Sequence, residues 1–381
     1  MHILRINNLQ IRNIRNHEFS EFEFHPLINI FWGLNGAGKT SVLEAIAIAG
    51  LSKSFLPITD SIILKKDSND YSIKITSTND LHLPYFVNIS FSKSNKKTIS
   101  NSYSDNLYPK DIIGELPIVV LSPDLKEITF GSPQSRRDLM DRILSQSSKI
   151  YLDNWLKLKK ILKQRSTMLL NYAKYKTIDL QLFEVWTNYL VDVSAEIIFR
   201  RSEFIQQFSK HFKDIYFNLS ANTEIVDIKY RAFDIKNLTS KELIQQQLNE
   251  TAQKYKEDEL RRGVNLFGPQ RDDLKFLINS GIAKDYASQG QHKSLLIAIK
   301  FAEFQFLKQV LNETPVVILD DIFSELDSER IEQVLKLVQL HKAQTFISVN
   351  YIEFLKRIEF NSEYKLFHIV NGKYVKGNPN E

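Results

Sequence analysis

Gly33-Leu34-Asn35-Gly36-Ala37-Gly38-Lys39-Thr40, continuing into Ser41, is the stretch whose reading decides the fold. Two glycines at fixed spacing ahead of a Lys and a hydroxyl residue form the pattern of a phosphate-binding loop. The whole chain of 381 residues holds only 12 Gly, so three within six positions stand far above the background. Glycine lets the backbone turn successive N–H groups toward one centre, and a helix starting there adds its partial positive charge. Lys39 is placed to contact the terminal phosphates of a nucleotide, and Thr40 to offer its hydroxyl to Mg²⁺. The same string would also serve as a plain glycine turn before a core helix, so its flanks decide.

Working outward, Leu27-Ile28-Asn29-Ile30-Phe31 reads as a buried strand on one side. On the other side, residues 41–49 are apolar on nearly every face, as a helix buried within a domain requires, with Gly50 expected to cap it. Upstream, Arg5, Ile6, Leu9 and Ile11, then Phe19, Phe22 and Phe24, alternate as strands. Residues 70–105 alternate between Asn, Asp and Ser turns, which predicts an antiparallel sheet with one wet face. From 131 to 262 the spacing turns helical, with Lys, Gln and Asn on the open faces and no sustained heptads. The order after that is a strand over 273–278, a helix from about 290, a strand over 316–319, a helix near 328–341 and a strand over 345–349. The expected organisation is two halves of one α/β domain, 1–130 and 263–381, around an all-helical insertion, 131–262.

Two further elements carry chemistry. Pro315-Val316-Val317-Ile318-Leu319-Asp320-Asp321 describes a buried strand delivering two acids at its C-terminal edge, where open α/β sheets hold their ligands. Asp320 is expected to hold Mg²⁺ and Asp321 to polarise the attacking water. Tyr286-Ala287-Ser288-Gln289-Gly290-Gln291 introduces the helix near 290, either as an ordinary N-cap or as an anion-binding helix start. Arg15 either reaches a phosphate or braces the early strands.

In this order the sequence resembles an ABC-type ATPase head, and within that class the RecF family of DNA recombination and repair proteins related to SMC heads. The resemblance covers nearly the whole chain. It is carried by Ile14-Arg15-Asn16, the phosphate loop running into Leu43-Glu44-Ala45-Ile46, the Ser288 segment, and Asp320 to Asp327 with its Ser324-Glu325-Leu326-Asp327. Two segments point to RecF in particular: Gly131-Ser132-Pro133-Gln134-Ser135-Arg136-Arg137-Asp138-Leu139-Met140-Asp141 and Gly268-Pro269-Gln270-Arg271-Asp272-Asp273-Leu274.

The resemblance implies an ABC-type ATPase head with an antiparallel β subdomain and an all-helical insertion domain, using ATP and Mg²⁺. It implies an ATP-dependent homodimer in which Ser288, Gly290 and Gln291 of one subunit close over the γ-phosphate held by Lys39 of the other, with Asp327 aligning the interface. It also implies sequence-independent binding of DNA at gaps or single/double-strand junctions, RecR- and RecO-like partners, and roles in recombinase loading, replication restart and SOS induction. Three positions depart from related patterns. Gln270 replaces a family His, Ser348-Val349-Asn350 stands where transporter heads carry a switch His, and Asp321 is shorter than their Glu. Slow hydrolysis is therefore expected, with stimulation by DNA.

Composition narrows the partners. Fifty Lys+Arg against 45 Asp+Glu exclude a generally basic coat, and the hydrophobic share of 43% excludes general disorder. Residues 136–176 nevertheless hold 11 Lys and Arg against three Asp, a net of +8, leaving a slightly acidic remainder. Lys157, Lys160 and Lys163 recur at three-residue steps, so they share a helix face that is either a solvated surface or a track for the phosphate backbone. Cysteine is absent, which excludes disulfides, thiolate nucleophiles and thiolate-bound metal. Met1 to Asn8 carries charge and amide where an export signal needs an apolar run, and no stretch of about 18 apolar residues occurs. A cytoplasmic protein without a membrane partner is expected. An ATPase subunit of a membrane transporter and a scaffold that uses ATP only as structural glue are the competing readings; the absent switch His and the long insertion argue against the first.

Overall fold

The computed structural model describes residues 5–78, 83–220, 223–324, 326–350 and 363–375; residues 1–4 and Glu325, both read above, lie outside them. The chain divides into two compact units, Met1–Lys126 with Lys293–Glu381, and Glu127–His292.

The first unit opens with β1 (Arg5–Ile14), β2 (His17–Glu23) and β3 (Ile28–Trp32), then α1 (Lys39–Leu51). Next come β4 (Asp70–Thr78), β5 (Pro84–Ser92), β6 (Lys96–Asn101) and β7 (Ile118–Leu121). The alternation read over 70–105 is realised as an antiparallel sheet in the order β2-β1-β4-β5-β6, so the early strands belong to it as well. Leu9, Ile11, Ile73, Ile75 and Ile89 are buried on one face. That face packs on α1, which also touches β7. Being covered on both sides explains why every residue of α1 except Thr40 is buried. Gly50 does not cap this helix: the helix runs to Leu51 and ends on Ser52 at φ 58°. Gly50 is instead a point of close approach, since a Cβ there would lie 2.5 Å from the Leu116 carbonyl oxygen.

The second unit contains α2 (Pro133–Ser147), α3 (Lys149–Tyr175), α4 (Leu180–Leu219), β8 (Val226–Arg231), α5 (Lys241–Arg262), β9 (Asp273–Ile278) and β10 (Gly281–Ile282). It is not all-helical. β8 pairs antiparallel with β9 and β9 with β10, and this small sheet carries residues 263–292 into the insertion rather than into the C-terminal half. The boundaries therefore fall near 127 and 292 instead of 131 and 262. The physical reason is that β8 is short and alternates only through Val226 and Ile228, while the strand that completes it lies beyond a 22-residue helix.

Buried ion pairs tie this unit together. Arg201 of α4, 1% exposed, donates to Asp141 Oδ1 of α2 and to Asp272 Oδ2, each at 2.7 Å, and to the Pro269 carbonyl at 2.8 Å. Tyr230 donates to Asp272 at 2.5 Å, and the Trp155 Nε1–H to Asp141 Oδ2 at 2.8 Å. Arg165, also fully buried, pairs with Glu259 at 2.8 Å. The two segments that separately resemble RecF thus meet in space: Arg136 pairs with Asp273 at 2.9 Å, and Arg137 donates to the Asp272 carbonyl at 2.7 Å.

The chain returns to the first unit through α6 (Gln289–Leu311), followed by β11 (Val316–Leu319), α7 (Ser328–Leu340), β12 (Thr345–Val349), β13 (Tyr364–Val370) and β14 (Lys373–Val375). The second sheet has the order β14-β13-β3-β12-β11-β7, parallel except for β14. Strand β11 is buried at every position, as expected of a strand covered on both faces. Phe22, Phe24, Phe31, Phe346 and Phe367 interlock by edge and stacked contacts on one side of this sheet. Adjacent strands β3, β12 and β11 end at one edge, which is what assembles the site. Among the described residues no helix is long and apolar enough to cross a membrane.

Candidate nucleotide site

The loop leaves the C-terminal end of β3, turns, and becomes the first turn of α1 at Lys39. Gly38 has φ 112°, a conformation that favours glycine, and a Cβ there would lie 2.6 Å from His17 Nε2. Asn35, Gly36, Gly38, Lys39, Thr40 and Ser41 line an open cavity of about 310 Å³ with Arg15, Asn16, Asp321, Ser348 and Asn350. Gly33 and Leu34 contribute carbonyls, which accept from Lys39 Nζ at 2.8 and 3.0 Å, while Ala37 is buried and the Leu34 side chain exposed. Burial lowers the Lys39 ammonium from its usual value, against the pull of Asp321 and Asp320. An entering phosphate would replace two neutral carbonyls with negative charge, which favours the move electrostatically.

β11 delivers the acids across the cavity. Thr40 Oγ1 donates to Asp320 Oδ1 at 3.0 Å, and Ser348 Oγ, from the end of β12 between the other two strands, donates to the same oxygen at 2.7 Å. Asp320 is 6% exposed, and burial raises its carboxyl above the usual range, against the hydrogen bonds from Ser348 and Thr40. A hydroxyl and a carboxylate oxygen at this separation, in a site where burial penalises the anion, suit a small hard cation. Among the described residues no group of three or more His, Cys, Asp and Glu is set to hold a metal. Thr40 and Asp320, the pair expected to hold Mg²⁺, stand within hydrogen-bond distance of each other, and nucleotide oxygens and water would have to complete such a site.

Asp321 adopts φ 49°, unusual for a residue with a side chain, and Ser348 Oγ accepts its N–H at 2.9 Å. Asn350 Nδ2 donates to Asp321 Oδ1 at 3.2 Å, so the residue at the switch position reaches the second acid. The cavity thus gathers Lys39, Thr40 and Asp321, predicted from the sequence, with Asp320 behind its wall bonded to Thr40, and adds Ser348, whose role the motif pattern does not mark. Arg15, at φ 54°, lines the cavity and donates to fully buried Glu44 of α1 at 3.2 Å, so its side chain is tied to the helix rather than to the early strands. Glu44 also accepts from Ser54 at 2.5 Å, so a carboxylate inside an apolar helix is satisfied on two sides. Its polar letter in an apolar run was the only sequence sign of this.

Ser288, Gly290 and Gln291 lie in the other unit. Ser288 Oγ accepts from the Gln291 N–H at 3.2 Å and Gln291 Oε1 from the Ser288 N–H at 2.7 Å, a reciprocal capping box opening α6. Ser288 is exposed and Gly290 partly so. In the first unit Asp327 caps α7 by accepting from the Arg330 N–H at 3.0 Å. On α3, Lys157, Lys160 and Lys163 are all exposed, whereas Arg136 and Arg165 of the basic strip face inward to carboxylates. The strip available to a partner is therefore a lysine strip, smaller than the composition suggested.

Comparison with known proteins settles the family. The chain is 35% identical over 349 residues to a DNA replication and repair protein RecF from Chloroherpeton thalassium, covering 91% of this chain and 94% of that one. The chain belongs to the RecF family. A RecF from Lysinibacillus sphaericus is 32% identical over 375 residues, 98% of this chain and all of that one. A family profile described as AAA domain matches residues 8–345. Among solved structures, the recombination mediator protein RecF with ATP, of the RecFOR pathway, superimposes with a TM-score of 0.89 at 25% identity, covering 99% of this chain and 98% of that one. An SMC head bound to the C-winged helix domain of ScpA shares the fold at a TM-score of 0.55 and 14% identity. The expected ATPase-head fold is thereby established for this member of the family.

Proposed function

We propose that this chain is a DNA-repair ATPase of the RecF type that binds Mg²⁺-ATP at the cavity behind Lys39 and closes into a dimer when it does so. The observation that carries the reading is the convergence of Lys39, Thr40, Asp321 and Ser348 on one cavity, with Asp320 bonded to Thr40 and Ser348 at its wall. A RecF relative solved with ATP supports it. Lys39 would exchange the Gly33 and Leu34 carbonyls for phosphate oxygens, and Thr40 and Asp320 would hold Mg²⁺, which neutralises phosphate charge when bound. Asp321 would orient the attacking water, its position fixed by Ser348 and Asn350. Ser288, Gly290 and Gln291 of a second copy would close over the γ-phosphate, with the positive end of the α6 dipole toward it.

Binding energy at the nucleotide is then spent on dimer closure, a switch driven by differential affinity for two states. Lys157, Lys160 and Lys163 would track the DNA backbone without reading bases, at gaps or single/double-strand junctions. The remaining steps of the proposal are recombinase loading, replication restart and SOS induction with RecR- and RecO-like partners; a RecFOR pathway is named for the solved relative. Hydrolysis is slow and DNA-stimulated, with unassisted turnover below about 1 s⁻¹. The test is sizing by light scattering with ATP, ADP or no nucleotide, each with and without gapped duplex. A dimer that forms with ATP and dissociates with ADP is expected; a monomer under all six conditions would overturn the reading.

A further inference from the structure

We propose that His17 is a positioning residue of the phosphate loop, acting through a clamp made with Asn16, Ser20 and the turn between β13 and β14. The proposal rests on the nucleotide-binding reading above. Three consecutive loop carbonyls are held from behind. Gly36 O accepts from Asn16 Nδ2 at 3.0 Å, Ala37 O from the Gly372 N–H at 2.8 Å, and Gly38 O from His17 Nε2 at 3.0 Å. Gly38 O also accepts the first helical bond, from the Val42 N–H at 3.3 Å. In a planar trans peptide the carbonyl and the following N–H point in opposite directions. Drawing Ala37 O and Gly38 O backward therefore turns the Gly38 and Lys39 N–H groups the other way, and both residues line the cavity. Those are the donors a phosphate oxygen requires.

The chemistry of the ring fixes the arrangement. A carbonyl only accepts, so Nε2 carries the proton, and Nδ1 must accept from Ser20 Oγ, 2.8 Å away. Ser20 Oγ also lies 3.3 Å from the Gly372 carbonyl; its one proton goes to the nearer Nδ1, so this second approach is a packing contact beside the hairpin turn. His17 is fully buried and held neutral by that burial. The clamp leaves no room for slack: a Cβ on Gly372, which has φ 73°, would stand 2.2 Å from the Asn16 carbonyl oxygen. Three pieces of chain, two of them more than 350 residues apart in sequence, thus set one loop conformation.

The full chain is titrated with the fluorescent analogues mant-ATP and mant-ADP, with Lys39→Ala as the control for specific binding. His17→Phe keeps the ring volume and loses both hydrogen bonds, so affinity for both nucleotides is expected to fall about tenfold, the effect of one buried hydrogen bond. His17→Gln restores an amide N–H toward Gly38 O and is expected to bind within about threefold of the unaltered chain. Unchanged affinity in His17→Phe overturns the proposal. So does an equal loss in the Phe and Gln variants that follows their melting temperatures, because it would make His17 a merely structural residue. If His17→Phe does not fold, Ser20→Ala decides: it removes the donor that fixes the ring tautomer, and unchanged nucleotide affinity there overturns the proposal too. Failure of the unaltered chain to bind mant-ATP, or equal binding by Lys39→Ala, would instead overturn the nucleotide-site reading.

Discussion

Replacing Ser348 with Ala tests whether the two acids work as a unit. Ser348 Oγ donates to Asp320 Oδ1 at 2.7 Å and accepts the Asp321 N–H at 2.9 Å, from a residue that is 1% exposed. A hydrogen bond to a charged group contributes about 1.5–3 kcal/mol and a neutral one about 0.5–1.5 kcal/mol. Ser348 lines an open cavity, so water can take over part of both bonds. The expected loss is therefore near the lower sum, about 2 kcal/mol, or roughly 30-fold in an equilibrium constant. Where that loss appears is the sharper part. Ser348 touches the acids and not the loop, so mant-ATP affinity in EDTA should stay within about twofold of the unaltered chain. The gain in affinity on adding Mg²⁺ should shrink by about tenfold or more, and ATP turnover should fall with it. Titrations with and without Mg²⁺ measure both. A Mg²⁺-dependent gain equal to that of the unaltered chain would refute the reasoning, as would an equal loss in EDTA, which would place the defect in loop folding.

Changing Lys157, Lys160 and Lys163 together to Glu should weaken duplex binding in the presence of ATP and reduce the slope of log affinity against log salt by about 2.5–3, measured by fluorescence anisotropy; an unchanged slope removes these lysines from the interface. Arg201→Met should destabilise the second unit by about 3–5 kcal/mol, because it strands Asp141 and Asp272 as buried carboxylates. Urea unfolding followed by tryptophan fluorescence suits the test, since Trp155 donates to Asp141. Burial lowers the His17 pKa below its unfolded value, so the folded chain binds fewer protons there. That contribution to stability is complete above about pH 6.5 and is lost as pH falls from there through the lowered folded value. The urea midpoint of His17→Gln should fall less between pH 7 and 5.5 than that of the unaltered chain, the other histidines being common to both.

Much of the head was legible because local chemistry dictated it. The phosphate loop, its flanking strand and the helix after it declared themselves through glycine spacing and an unbroken apolar run, and the Asp320 and Asp321 pair through its place after four apolar residues. What was not legible depended on pairing between distant segments. β8 alternates too briefly to stand out, and only β9, beyond α5, makes it a strand. The basic strip looked uniform as composition, yet Arg136 and Arg165 turn inward because Asp273 and Glu259 wait there, 137 and 94 residues away. Gly50 read as a cap by position, whereas the reason for it lies in the backbone at Leu116. Ser348 sat in a quoted stretch without a role, since its function comes from β12 lying between β3 and β11, a sheet order no spacing reveals.

The same sheet order bears on why hydrolysis should be slow. Asp321 already answers to two neighbours: its N–H is held by Ser348 and its carboxylate by the Asn350 amide. An amide at that position can orient a carboxylate but cannot take up or release a proton near neutral pH, as an imidazole could. On the proposed roles, polarisation of the attacking water would rest on one short carboxylate with its backbone at φ 49°, while two hydrogen bonds, from Thr40 and Ser348, hold Asp320 at the end of the site meant for Mg²⁺. On the proposed reading, the geometry favours holding Mg²⁺-ATP over cleaving it. If the chain acts, as proposed, by closing on DNA, the lifetime of the bound state is the useful quantity, and a slow chemical step would lengthen it without any change in nucleotide affinity.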